Sequence, residues 1–326
     1  MIYKKFSSEK MLNTPEQQRF WQQVHQSEFE SNNGVKNAFC QVLQADAKQA
    51  IVISNGRVES YLKYQELIFD LYQQGYSVFA LDHRGQGLSD RLTDNPHQGY
   101  VDKFEDYVDD FSCFIENIVL PTQHLSLSVM AHSMGGAIVA HYLNRQPHIF
   151  DSAVMSAPMF GISLPLNTKM VLWLANRLDK TRPSKQEGKV TSNYVLGGAD
   201  YQPDPYISNN LTHSKHRYEH YRDLYKKHPE IQLGSPTNRW LIEAINAAQQ
   251  SITFAKQSQT PILILQASED SIVTNHTQDL ALSNLCHKVV IEGAYHEVFI
   301  EGDTLRNAAL TYAINFIKLH SKTAQI

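Results

Sequence analysis

Ser128-Val129-Met130-Ala131-His132-Ser133-Met134-Gly135-Gly136 runs from an apolar strand into a serine with small neighbours and then into a helix. This is the strand–turn–helix pattern G-x-S-x-G, with Ala131 in the first glycine position. The demand behind it is steric: where a chain folds back sharply, tiny residues are needed two places before and after the serine. Taken alone, so short a motif also fits a plain strand-to-helix turn. Its place in the chain adds weight, because it closes a strand candidate in the middle of a series and opens a helix.

Working outward, short apolar, β-branched runs alternate with amphipathic helical patterns, the mark of a parallel sheet covered by helices. The strand candidates are 50–54, 76–82, 125–132, 152–157, 262–267 and 288–291. Helical patterns cover 61–74, 103–120, 135–145 and 304–319. Within the second, Val108, Phe111, Phe114, Ile115 and Ile118 recur at spacings that predict one buried face. The alternation stops after Pro158 and resumes near Pro261. The intervening residues are richer in His, Tyr, Lys, Asn and Pro, so 159–236 is expected to be an inserted cap, with 1–158 and 237–326 forming the core. Inside the cap, 167–178 carries a helical apolar pattern and 180–205 holds many turn formers. A helix over 240–250 is expected to return the chain to the core.

A serine hydroxyl is a weak nucleophile near neutral pH and needs a base, which in turn needs an orienting acid. The apolar run from Pro261 ends in Ala267-Ser268-Glu269-Asp270, and the run to Ile291 is followed by Gly293-Ala294-Tyr295-His296-Glu297. Serine, acid and histidine then follow one another in the order Ser133, Asp270, His296, each just past a strand. Asp270 and Glu269 compete for the acid, and Asp270 is preferred. Asp303 reads as the N-cap of the final helix. An oxyanion formed at an acyl carbon needs backbone donors. Met134, opening a helix, supplies one. The loop Asn55-Gly56-Arg57 supplies the other through the amide of Arg57, unless that loop is merely a turn.

The chain has 326 residues, 42% of them hydrophobic and 19% charged, which suits a globular core and excludes a disordered protein. A net charge of -4 with mixed signs along the chain gives no reason to expect a nucleic-acid partner. Cys40, Cys113 and Cys286 are few, odd in number and widely separated, so neither a disulfide framework nor a zinc site is expected, and a reducing compartment fits. Residues 1–10 lack the apolar run of a secretory signal, and no apolar stretch reaches membrane-spanning length. A cytoplasmic location is expected, with membrane association at most peripheral, at the inner face.

Several stretches together make the chain resemble the monoacylglycerol lipase and lysophospholipase branch of the α/β hydrolases. They are Asn55 to Tyr61, Asp82-His83-Arg84-Gly85-Gln86-Gly87-Leu88-Ser89, Ala131 to Gly136, Ser156 to Gly161, Leu211-Thr212-His213-Ser214 and Gly293 to Glu297. The resemblance implies an α/β-hydrolase fold, a mostly parallel central sheet flanked by helices and carrying an inserted cap. It places the nucleophile on Ser133, the acid on Asp270, the base on His296 and the oxyanion amides on Arg57 and Met134. It implies no metal or cofactor. Relatives acting on monoacylglycerol often carry His-Gly where this chain has Asn55-Gly56, which favours the lysophospholipase side. The implied reaction is hydrolysis of a lysophospholipid to a fatty acid and a glycerophosphodiester through an acyl-enzyme. The alternatives are a monoacylglycerol lipase, a general carboxylesterase, or a non-catalytic binding module on the same fold.

One cap stretch concentrates charge: Lys215, Arg217, Arg222, Lys226 and Lys227, with His213, His216 and His220, stand against Glu219 and Asp223. This face is expected to meet an anionic membrane or the substrate phosphate, with His213 and Arg217 as substrate contacts. A solvated helix with i,i+4 pairs is the other reading.

Overall fold

The computed structural model describes residues 5–322; the first four residues of the leader reading lie outside that range. Ten strands form, in chain order β1 (His25–Glu30), β2 (Lys36–Val42), β3 (Gln49–Ser54), β4 (Ser77–Leu81), β5 (Ser126–His132), β6 (Ser152–Ser156), β7 (Arg182–Pro183), β8 (Val190–Thr191), β9 (Ile262–Ala267) and β10 (Cys286–Ile291). The helices are α1 (Pro15–Trp21), α2 (Gln65–Gln73), α3 (Glu105–Phe114), α4 (Met134–Arg145), α5 (Thr168–Leu178), α6 (Lys215–Lys227), α7 (Asn238–Lys256), α8 (Asn275–Leu280) and α9 (Asp303–His320).

Eight strands make one sheet in the order β1-β2-β4-β3-β5-β6-β9-β10. The two N-terminal strands run antiparallel, β1 to β2 and β2 to β4; every other pairing is parallel. Successive side chains of the central strands go to opposite faces. Val52, Phe79, Leu81, Val129 and Ala131 pack in one apolar cluster with Phe111, Phe114 and Ile138. Ile51, Ile53, Val78, Ala80 and Met130 pack in another with Leu67, Leu71 and Ile314. Burial on both faces is why these strands are apolar throughout rather than alternating.

The six expected strands are all present, with ends within two residues of the sequence reading. The pair β1 and β2 was not anticipated: β1 is polar and mostly exposed, and the apolar part of β2, Ala38-Phe39-Cys40, is short. The long helical pattern after Lys103 divides into α3 and a π-helical turn at Ile115–Val119. Between β6 and α7 the chain adds α5, the small ribbon β7-β8 and α6, and no strand of the main sheet. Asp303 is not the N-cap of α9. Gly302 holds that position, and the Asp303 carboxylate instead accepts from Ser8 Oγ, the Glu9 amide and Arg217. Cys40, Cys113 and Cys286 are free and buried. Among the described residues no helix is long and apolar enough to cross a membrane.

Candidate active site

Ser133 follows β5 and caps α4 with φ 51° and ψ -118°, a conformation that costs a non-glycine residue about 1–3 kcal/mol. Surrounding bonds hold it there: its amide donates to Ser156 O at 3.0 Å, and its carbonyl accepts from Gly136 and Met159, both at 2.9 Å. The small residues after it have specific reasons. A Cβ at Gly135 would lie 2.2 Å from the Ser54 carbonyl oxygen, and one at Gly136 would lie 2.6 Å from Pro158 Cβ. Ala131, two residues before, sits in register between Ser54 and Met155, where its methyl joins the apolar cluster.

The three side chains singled out from the sequence come together. His296 Nε2 lies 3.0 Å from Ser133 Oγ, and His296 Nδ1 lies 2.7 Å from Asp270 Oδ2. The other carboxylate oxygen of Asp270 accepts from the amides of Ile272 and Val273, which fixes its rotamer. Burial pushes the Asp270 carboxyl up, but the His296 imidazole and those two amides outweigh it and hold it below the usual carboxylate range. Glu269, the competing acid, points to solvent. A hydroxyl, an imidazole and a carboxylate in this relay can remove the serine proton and return it to a leaving group.

The loop after β3 approaches the serine closely. A Cβ at Gly56 would stand 3.2 Å from Ser133 Cβ and 2.8 Å from His132 Nδ1. Arg57 follows it and lines the same cavity as Ser133 and His296, a space of about 560 Å³. Met134 is the first residue of α4, so its amide has no intrahelical acceptor. Asp82 organises the loop from behind: it accepts from Asn55 Nδ2, Ser60 Oγ and the amides of Tyr61 and Leu88.

A buried ionic network beneath the serine was missed from the sequence. Glu59 accepts from the Gly56 amide, Lys63 Nζ and the Tyr64 hydroxyl, and Lys63 Nζ also donates to Glu297 at 2.6 Å. His132 faces oxygen acceptors at both ring nitrogens, Glu59 Oε2 and the His296 carbonyl, each at 3.2 Å. Donating to both at once requires the imidazolium form. Burial pulls the His132 pKa down, but the Glu59 charge and hydrogen bond raise it overall, in line with an imidazolium. Burial pushes Glu59 up, and Lys63 and His132 bring it well below its ordinary range. The only sequence signal for this cluster was the i,i+4 spacing of Glu59 and Lys63.

The structure places His213 and Arg217, expected to contact substrate, away from the cavity. Neither residue lines the cavity. The Arg217 guanidinium is 2% exposed and engages Glu66, Asp303 and the Glu301 carbonyl, tying α6 to the core. His213 bonds Glu301 Oε1 at 3.0 Å and stacks on Tyr295 with ring centroids 3.8 Å apart. Arg222 of the same helix lines the cavity instead. Two of the outer lysines are paired with acids, Lys215 with Glu219 and Lys226 with Asp223, as on a solvated helix face. Among the described residues no group of three or more His, Cys, Asp or Glu is placed to hold a metal ion.

Comparison with known proteins gives the family. The family model Hydrolase_4, described as serine aminopeptidase S33, matches residues 45–303. The chain is 37% identical over 260 residues to lysophospholipase L2 of Escherichia coli K12, covering 80% of this chain and 75% of that one. It is 34% identical over 260 residues to a probable lysophospholipase L2 of Haemophilus influenzae, covering 78% and 79%. Among solved structures, a soluble variant of the Saccharomyces cerevisiae monoglyceride lipase superposes with a TM-score of 0.69 at 16% identity, covering 91% of this chain and 95% of that one. That likeness speaks for the fold, an α/β hydrolase.

Proposed function

Starting from the fact that the chain belongs to the Hydrolase_4 family and is a serine ester hydrolase, we propose that it is a lysophospholipase acting through an acyl-enzyme formed on Ser133. The observation that carries the reading is the relay Ser133–His296–Asp270, at 3.0 and 2.7 Å, opening into one cavity. Ser133 Oγ attacks the acyl carbon while His296 Nε2 takes its proton. The amides of Met134 and Arg57 receive the negative charge that develops on the carbonyl oxygen. His296 then protonates the departing glycerol oxygen, and the glycerophosphodiester leaves. A water deprotonated by His296 attacks the acyl-enzyme, releasing the fatty acid and restoring the serine.

The substrate class is supported by the E. coli and H. influenzae relatives, both named as lysophospholipases. Long-chain lysophosphatidylethanolamine incubated with the purified protein should release fatty acid. Absence of release, with short esters still cleaved, removes the lipid assignment and leaves a general carboxylesterase. A monoacylglycerol lipase is the second reading, supported by the relatives named monoglyceride lipase. A non-catalytic binding module would leave the assembled relay without a use, and failure of a fluorophosphonate probe to label Ser133 would revive it.

In this reading residues 159–236 form a cap over the site, contributing Met159, Tyr221 and Arg222 to the cavity wall. Peripheral contact with an anionic membrane is part of the proposal. Its support is α5, where Met170 and Trp173 are 58% and 69% exposed beside Lys169. Co-sedimentation with anionic vesicles that survives Trp173→Ala unchanged would remove α5 from that contact.

A further inference from the structure

Two arginines line the cavity without a carboxylate partner among the described residues. Arg57 donates from Nη2 to the Gly234 carbonyl at 2.6 Å and lies 5.0 Å over the Trp240 ring, while its buried Nε has no partner. Burial draws its pKa down to about 10, against weak support from Tyr107 and Tyr194, and no acid contributes. Arg222 lies 4.9, 5.4 and 5.7 Å from the ring centroids of Tyr218, Tyr221 and Tyr225, and its buried Nε is also unpartnered. The two belong to one wall: the Tyr225 hydroxyl donates to the carbonyl of Val58, next to Arg57, at 2.6 Å. On that wall the hydroxyl of Tyr221, a residue 3% exposed, is buried with no hydrogen bond.

Elsewhere the fully buried arginines are matched with acids, Arg84 with Asp110, Arg217 with Glu66 and Asp303, Arg306 with Asp70, and half-buried Arg91 is met by three backbone carbonyls. Inside the cavity Glu59 and Glu297 are already engaged by Lys63, and Asp200 and Asp204 stand exposed at the rim. Two guanidiniums held in a partly dry wall, each with an unused N–H, are therefore suited to an incoming anion rather than to any acid of the chain. Tyrosine faces hold such a cation without neutralising it, and guanidinium forks match phosphate oxygens.

We infer that Arg57 and Arg222, with the Tyr221 hydroxyl, receive the phosphodiester of the substrate headgroup and make the cavity select lysophospholipid over monoacylglycerol. This rests on the lysophospholipid reading above and names the residues that impose it. A neutral glycerol headgroup leaves both cations unmatched, whereas a phosphodiester bonds them while its acyl ester lies at Ser133.

The test uses lysophosphatidylethanolamine and monoacylglycerol bearing the same acyl chain, and reads the ratio of their kcat/KM values. Because both rates come from one preparation, the ratio is insensitive to any fraction that fails to fold. Arg222→Met should lower it by about tenfold or more, mainly through KM for the lysophospholipid. Arg222→Lys should recover part of the loss, and Arg57→Met should move the ratio the same way. In parallel, sn-glycero-3-phosphoethanolamine should inhibit hydrolysis of a short-chain ester competitively, glycerol should not, and Arg222→Met should raise the inhibition constant. If the wild type leaves lysophospholipid intact while this inhibition persists, the substrate reading fails and the anion site stands. Inorganic phosphate inhibiting as strongly as the glycerophosphodiester would overturn the headgroup assignment. So would a ratio and an inhibition constant that neither Arg222→Met nor Arg57→Met changes.

Discussion

Ser133 Oγ stands 3.0 Å from His296 Nε2, yet the backbone that presents it is held at φ 51°, in a region that favours glycine. Reactivity and strain thus meet in one residue. Ser133→Ala should lower kcat by about three orders of magnitude or more while leaving the fold intact. Ser133→Gly should be as inactive but should melt above Ser133→Ala, by about 1 kcal/mol of stability, because glycine adopts this conformation without strain. Calorimetry of the two variants checks this; equal melting would mean that the strain is relaxed elsewhere.

Asp270 reaches His296 at 2.7 Å while Glu269 faces solvent, so the two neighbouring acids should separate cleanly. Asp270→Asn, which keeps the shape but disturbs the imidazole tautomer, should reduce kcat by about 10³–10⁴. Glu269→Ala should stay within about twofold of wild type. Steady-state kinetics on any ester substrate decides, and the opposite ranking would relocate the acid.

Glu59 holds the Gly56 amide, and with it the loop that brings Arg57 to the serine. It acts through others and touches no reacting atom, so it is a positioning residue. Glu59→Gln should lower kcat by about 10–100-fold with a small change in KM, since a displaced oxyanion donor weakens the transition state more than ground-state binding. A loss carried by KM alone would argue for a role in substrate binding.

Arg217 is buried against Glu66 and Asp303, which makes it a fastener between α6 and the core. Arg217→Met leaves Asp303 without its cation and Glu66 with Arg306 alone, and should cost about 2–3 kcal/mol of unfolding free energy. The preference between lysophospholipid and monoacylglycerol should stay put. Chemical denaturation followed by the two-substrate comparison would expose a change in preference, which would return Arg217 to the substrate.

His83 is buried with Nε2 3.0 Å from Ser54 Oγ, and burial lowers its pKa from the ordinary 6.5 to about 3. In the unfolded chain this imidazole takes up a proton below pH 6.5; in the native protein it does so only near pH 3. Its contribution is therefore present above pH 6.5 and lost as the pH falls toward 3. Between pH 6.5 and 4.5 the loss should amount to about 2–3 kcal/mol. His83→Gln should flatten that part of the stability profile, measured as urea midpoints at the two pH values. An unchanged slope would assign the acid sensitivity to other groups.

Much of this molecule was legible in one dimension, because its defining features are local. An apolar run bounded by turn formers marks β3, β5 or β9 without reference to the rest of the chain. The crowding against the Ser54 carbonyl that requires Gly135 appears in sequence as a glycine two places after a serine. The pair β1 and β2 escaped, β2 because its apolar run Ala38-Phe39-Cys40 is short. β1 is an edge strand whose residues are mostly exposed, so no buried face stamped an alternation on it.

Consecutive residues alone suffice for the parallel part of the doubly covered sheet, the turn at Ser133 and the chain order of serine, acid and histidine. Each follows from the chemistry of a few consecutive residues. Only folding settles which cations of α6 are matched by acids and which are left to tyrosines. Arg217 and Arg222 are five positions apart on one helix, yet the first meets Glu66 and Asp303, 151 and 86 residues away, and the second meets tyrosines at the cavity wall and, among the described residues, no carboxylate. A helical period states that two side chains point in different directions, but the charge waiting in each direction is set by segments that only folding brings near.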